Sequence, residues 1–175
     1  CVSKEVNPLV AKQAIDLKSA QLEKIRAAHQ ELICASETIM RDAHDLLAQS
    51  GTIMHLVAPS GVILRSHGDP KTLELANQFR LVPGANWAES VAGTNAIGTA
   101  LRIGSPVQVH AYEHFCANIS NWTCSAAVIR DPFENKVLGA VNISGLKNTQ
   151  HDYCLALAVS GAHRIEGQLA HLLLS

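Results

Sequence analysis

The sequence predicts an α+β domain, an antiparallel sheet of five to six strands with the terminal helices packed on one face. The elements run helix, hairpin, short helix, irregular loop, strand, loop, hairpin, helix, so neighbouring strands can pair directly with no parallel crossover. With 175 residues, 47% of them hydrophobic and 17% charged, the chain can bury a single core. No internal repeat or low-complexity tract interrupts the pattern.

The first element is helical over about 8–48. Leu22, Ile25, His29, Leu32, Ser36, Ile39, Ala43 and Leu46 recur every three or four residues and share one stripe, with Pro8 tolerated at the start and Gly51 as the stop. The stripe is heptad-like with His29 and Ser36 as flaws, so it suits either its own domain or a second copy of the chain. Residues 52–58 and 62–67 form a β-rich pair around Pro59, Ser60 and Gly61, which are turn residues. Residues 71–79 have helical spacing, and 81–104 is a Gly-rich irregular stretch in which 96–101 can form a short helix. Residues 106–110 read as a strand entered by Pro106, which cannot donate to a ladder. The runs 124–130 and 137–144, joined by residues 131–135, make a second hairpin. Cys154, Ala158, Gly161, Ile165, Leu169 and Leu172 then mark a terminal helix over 151–174.

Charge and cysteine usage narrow the function. The formal net charge is -1 and no two Lys or Arg residues are adjacent, so the phosphate-neutralising surface of a direct nucleic-acid binder is not expected. No run reaches the ~18 uninterrupted apolar residues of a membrane span, and the start lacks a signal-peptide pattern, so a cytoplasmic protein is expected. The first residue is Cys rather than Met, which reads as a piece of a longer chain. Cys1, Cys34, Cys116, Cys124 and Cys154 are odd in number and widely spaced, consistent with reduced thiols.

Residues 86–101, NWAESVAGTNAIGTAL, followed by Pro106, Glu113, His114, Phe115, Trp122, Cys124, Asp131 and Pro132, carry a family resemblance. This segment resembles the GAF sensory domain of bacterial sigma-54-dependent transcriptional activators of the acetoin-catabolism regulator type. The likeness is strong over about 86–145, and the element order fits a GAF fold over roughly 20–174. It implies an N-terminal helical segment at 1–50 and a sensory domain at 51–175 that includes a C-terminal signalling helix. It further implies a regulatory domain rather than an enzyme, one that binds a small, mostly apolar organic effector and signals to downstream AAA+ and DNA-binding domains of the full-length protein. A homodimer is expected from the heptad-like stripe at 22–46 and the terminal helix at 151–174, each longer than a small sheet needs, with Ile25 and Ile39 in the seam. No G-x-x-x-x-G-K-[ST] phosphate loop occurs in this chain, so it hydrolyses no nucleotide by that route.

The residues expected to line the effector site are Trp87, Glu89, Asn95, His114, Trp122 and Cys124. The two Trp residues flank the same irregular region and can form an aromatic wall or simply fill the core. Thr94 or Asn95 can cap the 96–101 helix; Gly93, Gly98 and Gly104 allow close backbone packing, a weak phosphate cradle, or a lid over a cavity. Glu89 and Glu113 need partners if buried, and otherwise sit at the surface. His110, His114, Cys116 and Cys124 offer nitrogen and sulfur donors but lack a C-x2-C arm, so no metal is expected. A lowered-pKa thiol beside His114 would make a Cys-based oxidoreductase of GAF fold the alternative, and a pure protein-interaction module a third class. A linear tetrapyrrole would want a Cys-His dipeptide, which is absent, and nothing favours haem, so no cofactor is expected.

Overall fold

A computed structural model of the chain describes residues 18–148 and 152–175. Cys1, Pro8, the start of the expected first helix and His151 lie outside the described residues.

The stripe at 22–46 becomes two helices in line, α1 (Ser19–Ala28) and α2 (Gln30–Leu46), which part at His29. No residue of α1 is buried, but its Arg26 guanidinium donates from Nε and Nη2 to the Leu64 carbonyl at 3.0 and 2.9 Å. The first hairpin is β1 (Thr52–Val57) and β2 (Ile63–Gly68). Its turn places Gly61 at φ 95°, where a Cβ would lie 2.6 Å from the Ala88 nitrogen. In α3 (Pro70–Gln78) the Asp69 carboxylate caps the helix by accepting from the Thr72 N–H and hydroxyl, with Pro70 in the first turn. Two short helices follow, α4 (Glu89–Ala92) and α5 (Ala96–Ile103), then β3 (Val107–His110), β4 (Trp122–Arg130), β5 (Val137–Leu146) and α6 (Cys154–Leu174).

The strands form one five-stranded sheet in the order β2-β1-β5-β4-β3, every neighbouring pair antiparallel. Both faces are covered, which is why all six residues of β1 are buried where a half-exposed strand would alternate. On one face α2 and α6 pack Leu32, Ile39, Ala158 and Ile165 against Met54, Leu56, Val141 and Ile143. On the other, α3, α4, α5 and the long loop pack against Ile53, Val57, Cys124, Ala126 and Ala140. The terminal helices on one face are as the sequence predicts.

The open choice for the heptad-like stripe is decided within the domain. Leu32, Ser36, Ile39 and Ala43 are buried in the chain's own core, while Leu46 at the stripe's end is 80% exposed. The seam expected to pair with a second copy through Ile25 and Ile39 is corrected at Ile39, which is 3% exposed in the chain's own core: α2 lays its apolar face on the sheet and α6.

Candidate functional site

The lid over the second face is built around Asn95. Its backbone is extended (φ -155°, ψ 161°), and its Oδ1 accepts from the Gly98 N–H at 2.9 Å to cap α5. Its Nδ2 donates to the carbonyls of Trp87 and Gly93, each at 2.9 Å. The side chain of Asn95 thus staples α5 to the strand-like approach at Trp87, and both of its N–H donors are used there. Gly98 makes this close approach possible, since a Cβ on it would lie 2.7 Å from the Trp87 carbonyl oxygen. Glu89 turns away from the sheet: its carboxylate accepts from Arg102 Nε at 2.9 Å and from the Thr99 hydroxyl at 3.1 Å.

Trp87, Trp122 and Cys124 do meet in one buried cluster on the lid face. Trp87 Nε1 donates to the Arg80 carbonyl at 3.1 Å. Trp122 is fully buried, with Phe79 edge-on at 6.1 Å, and its Nε1 has no hydrogen-bond partner among the described residues. His114 is buried with Nδ1 on the Ala111 carbonyl at 2.8 Å and Nε2 unpartnered among the described residues. Burial lowers the His114 pKa, so it is a neutral ring that donates to that carbonyl.

Three polar side chains that sequence reasoning missed lie in the middle of the same face. His55 and Asn142 are register partners on β1 and β5, and Ser144 pairs in register with Cys124 across β5 and β4. His55, Asn142 and Ser144 are wholly buried. His55 Nδ1 and the Ser66 hydroxyl lie 2.7 Å apart; Asn142 Nδ2 donates to Ser144 Oγ at 2.6 Å, and that hydroxyl donates to Cys124 Sγ at 3.1 Å. His55 Nε2 and Asn142 Oδ1 have no partner among the described residues. Burial pushes the His55 pKa down to about 3, so the ring is neutral. It also pushes the Cys124 thiol up to about 12, only partly offset by the Ser144 hydrogen bond. The available signal was one polar residue at alternate positions of otherwise apolar strands: His55 between Met54 and Leu56, and Asn142 and Ser144 around Ile143.

The His/Cys set of the sequence disperses. His110 Nδ1 sits 2.6 Å from the Thr123 hydroxyl and His114 Nδ1 on Ala111, and among the described residues no three His, Cys, Asp or Glu side chains are placed to hold a metal ion. A groove of about 500 Å³ exists between α2 and β2, away from all six expected residues. The buried polar row meets the expected residues at Cys124, through the Ser144 hydroxyl.

A five-stranded antiparallel sheet with paired terminal helices on one face and a capped lid on the other is the fold of a GAF domain. Residues 20–167 match the family described as MimR, N-terminal domain, and the chain belongs to that family. It is 31% identical over 170 residues to the acetoin dehydrogenase operon transcriptional activator AcoR of Bacillus subtilis, covering 97% of this chain and 28% of that protein. It is 30% identical over 135 residues to the propane 2-monooxygenase operon transcriptional activator MimR of Mycolicibacterium smegmatis, covering 77% of this chain and 23% of that protein. The chain thus spans less than a third of these relatives, which are transcriptional regulators. Among solved structures, the Escherichia coli DhaR(N)-DhaL complex superposes with a TM-score of 0.89 at 20% identity, over 96% of this chain and 58% of that one. The cofactor-binding GAF domain of CodY from Clostridium difficile superposes with a TM-score of 0.51 at 14% identity, over 86% of this chain and 97% of that one. These likenesses show the fold, and the resemblance to acetoin-type activators expected from residues 86–145 is borne out.

Proposed function

We propose that this chain is the ligand-sensing domain of a sigma-54-dependent transcriptional activator, binding a small neutral metabolite on the lid face and signalling through α6 to a downstream AAA+ ATPase. The observation that carries it is the buried pair His55 Nε2 and Asn142 Oδ1, two unpartnered polar atoms beneath the lid of an otherwise apolar face. A buried polar atom left unpaired costs about 1–3 kcal/mol, so a molecule that pairs both binds favourably. Among the described residues no Lys or Arg side chain is buried, so an anion on this face would lose hydration without a cation in exchange. That selects a neutral hydroxyl or carbonyl compound. Relatives named for acetoin, dihydroxyacetone and glycerol operons agree in chemistry.

Arg130 supplies a route outward. Its guanidinium donates from Nη2 to the carbonyl of Gly104, the C-cap of α5, at 2.7 Å, while its backbone N–H donates to the Glu166 carboxylate on α6 at 2.8 Å. A shift of the lid helix is passed through one residue to the terminal helix. Leu172, Leu173 and Leu174, between 48% and 77% exposed at the end of α6, are the contact we assign to the expected homodimer. A redox role for Cys124 is disfavoured, because a thiol pushed up to about 12 supplies almost no thiolate at neutral pH.

The test is to exchange this chain for the matching segment of the Bacillus subtilis relative and read reporter transcription across neutral alcohols, ketones and hydroxyketones. Effector-dependent output, lost in Asn142→Leu and uncoupled from binding in Arg130→Ala, is expected. Output indifferent to every compound, or unchanged by Asn142→Leu, would refute the reading.

A further inference from the structure

On the opposite side of the sheet, the groove of about 500 Å³ between α2 and β2 is lined by Arg41 and His44 from the helix and by Arg65 and His67 from the strand. The strand pair sits two residues apart and therefore on one face, in register with Leu56 and Met54 respectively. Arg41 and His44 are three apart on α2 and so neighbour each other on that helix. The groove thus brings two guanidinium groups and two imidazoles to facing walls, over a floor that includes buried Ile33 and Met40.

Neither arginine is committed elsewhere. Among the described residues, Arg41 and Arg65 make no hydrogen bond or ion pair, whereas Arg26, Arg102 and Arg164 pair with carboxylates. The acid among the groove's lining residues is Glu37. His44 and His67 stand edge to face with ring centroids 6.1 Å apart. The His67 pKa is lowered, first by partial burial and then by the neighbouring His44 and Arg65. Opposed guanidinium groups suit bidentate contacts to a tetrahedral anion, and two imidazoles can take up protons as that anion arrives.

We propose that this groove is a second binding site, distinct from the lid face, for a small phosphoryl-bearing molecule held between Arg41 and Arg65 with His44 and His67 as secondary donors. Cys34, Glu37, Arg41 and His44 from α2, and Arg65 with His67 from β2, are the charged and titratable groups facing it. The anion favours the protonated imidazoles, so affinity rises as pH falls through the histidine range. The site touches α2, which packs against α6, and so reaches the output helix by a route separate from Arg130.

The experiment uses the 175-residue chain with pyrophosphate and glycerol 3-phosphate as probes, and succinate as a dianion without phosphorus, at constant ionic strength. Titrations followed by calorimetry and by the imidazole Cε1–H resonances should show saturable binding of a phosphoryl probe. The His67 resonance should titrate at higher pH in the complex, affinity counted per phosphoryl dianion should be about tenfold higher near pH 6 than near pH 8, and succinate should bind at least about tenfold more weakly. Because Arg41 and Arg65 are exposed, Arg41→Gln with Arg65→Gln should fold normally and lose the binding. Equal binding of succinate would overturn the phosphoryl assignment. Binding unchanged in the double variant, or no shift of either imidazole with any probe, would overturn the site.

Discussion

Replacing Asn95 by Ala removes three hydrogen bonds at once from a side chain that is 3% exposed: the cap on the Gly98 N–H and the two donations to the Trp87 and Gly93 carbonyls. A lost N-cap costs about 0.5–2 kcal/mol, and each buried carbonyl left without a donor about 1–3 kcal/mol. Allowing for relaxation, the loss should be about 3–5 kcal/mol, a large share of the ~5–15 kcal/mol that holds an ordinary domain. At about 2–4 °C per kcal/mol for a chain of this size, the melting temperature should fall by about 10 °C. Asn95→Asp is the sharper variant. It keeps the cap oxygen but sets a second oxygen against the same two carbonyls, which disfavours the ionised form and raises the folded-state pKa of that carboxyl. Protons then bind more tightly to the folded than to the unfolded state, so the Asp variant should regain stability as pH falls from 7, whereas the Ala variant should not. Thermal and urea unfolding followed by circular dichroism at several pH values measures all of this. A loss under about 1 kcal/mol for Asn95→Ala would refute the staple and return Asn95 to the list of residues free to touch a ligand.

The buried neutral His55, with its pKa pushed from 6.5 to about 3, makes folding pH-dependent in a defined window. Its contribution is complete above pH 6.5 and is lost at about 1.4 kcal/mol per pH unit as pH falls towards 3, because the unfolded chain binds the proton first. His55→Gln should remove one proton from that slope; His67 and His114, also lowered, leave a residual slope, and an unchanged slope would contradict the assignment. Alkylation with iodoacetamide at pH 8 and peptide mapping should find exposed Cys34 modified quickly and Cys124 modified only on unfolding, with rapid native labelling of Cys124 as the contrary result. Ile39→Glu should destabilise the fold itself, because Ile39 is 3% exposed within its own core, while Leu173→Glu at the exposed end of α6 should keep the melting temperature and convert dimer to monomer in sedimentation velocity. Wild-type protein that sediments only as monomer at high micromolar concentration would refute the dimer.

Local pattern determined most of the architecture. Turn chemistry at Pro59 to Gly61, the Asp69 and Pro70 helix start, and the apolar runs around residues 124–130 and 137–144 each specify their own element through interactions within a few residues. Asn95 as a cap was legible for the same reason, since an N-cap is read three residues away. Tertiary structure alone decided what those elements share. Whether Ile39 faces a partner or the chain's own sheet depends on where β1 and α6 arrive, and no helical spacing contains that information. The partner of Glu89 is Arg102, thirteen residues on, which turned an expected ligand-facing carboxylate into a lid fastening. His55 and Asn142 lie far apart in sequence, and only the antiparallel register of β1 on β5 makes them neighbours. Register is set by the whole hydrophobic pattern of both strands, and a slip of one residue would turn each side chain to the opposite face. The polar row beneath the lid therefore exists only once the sheet is assembled.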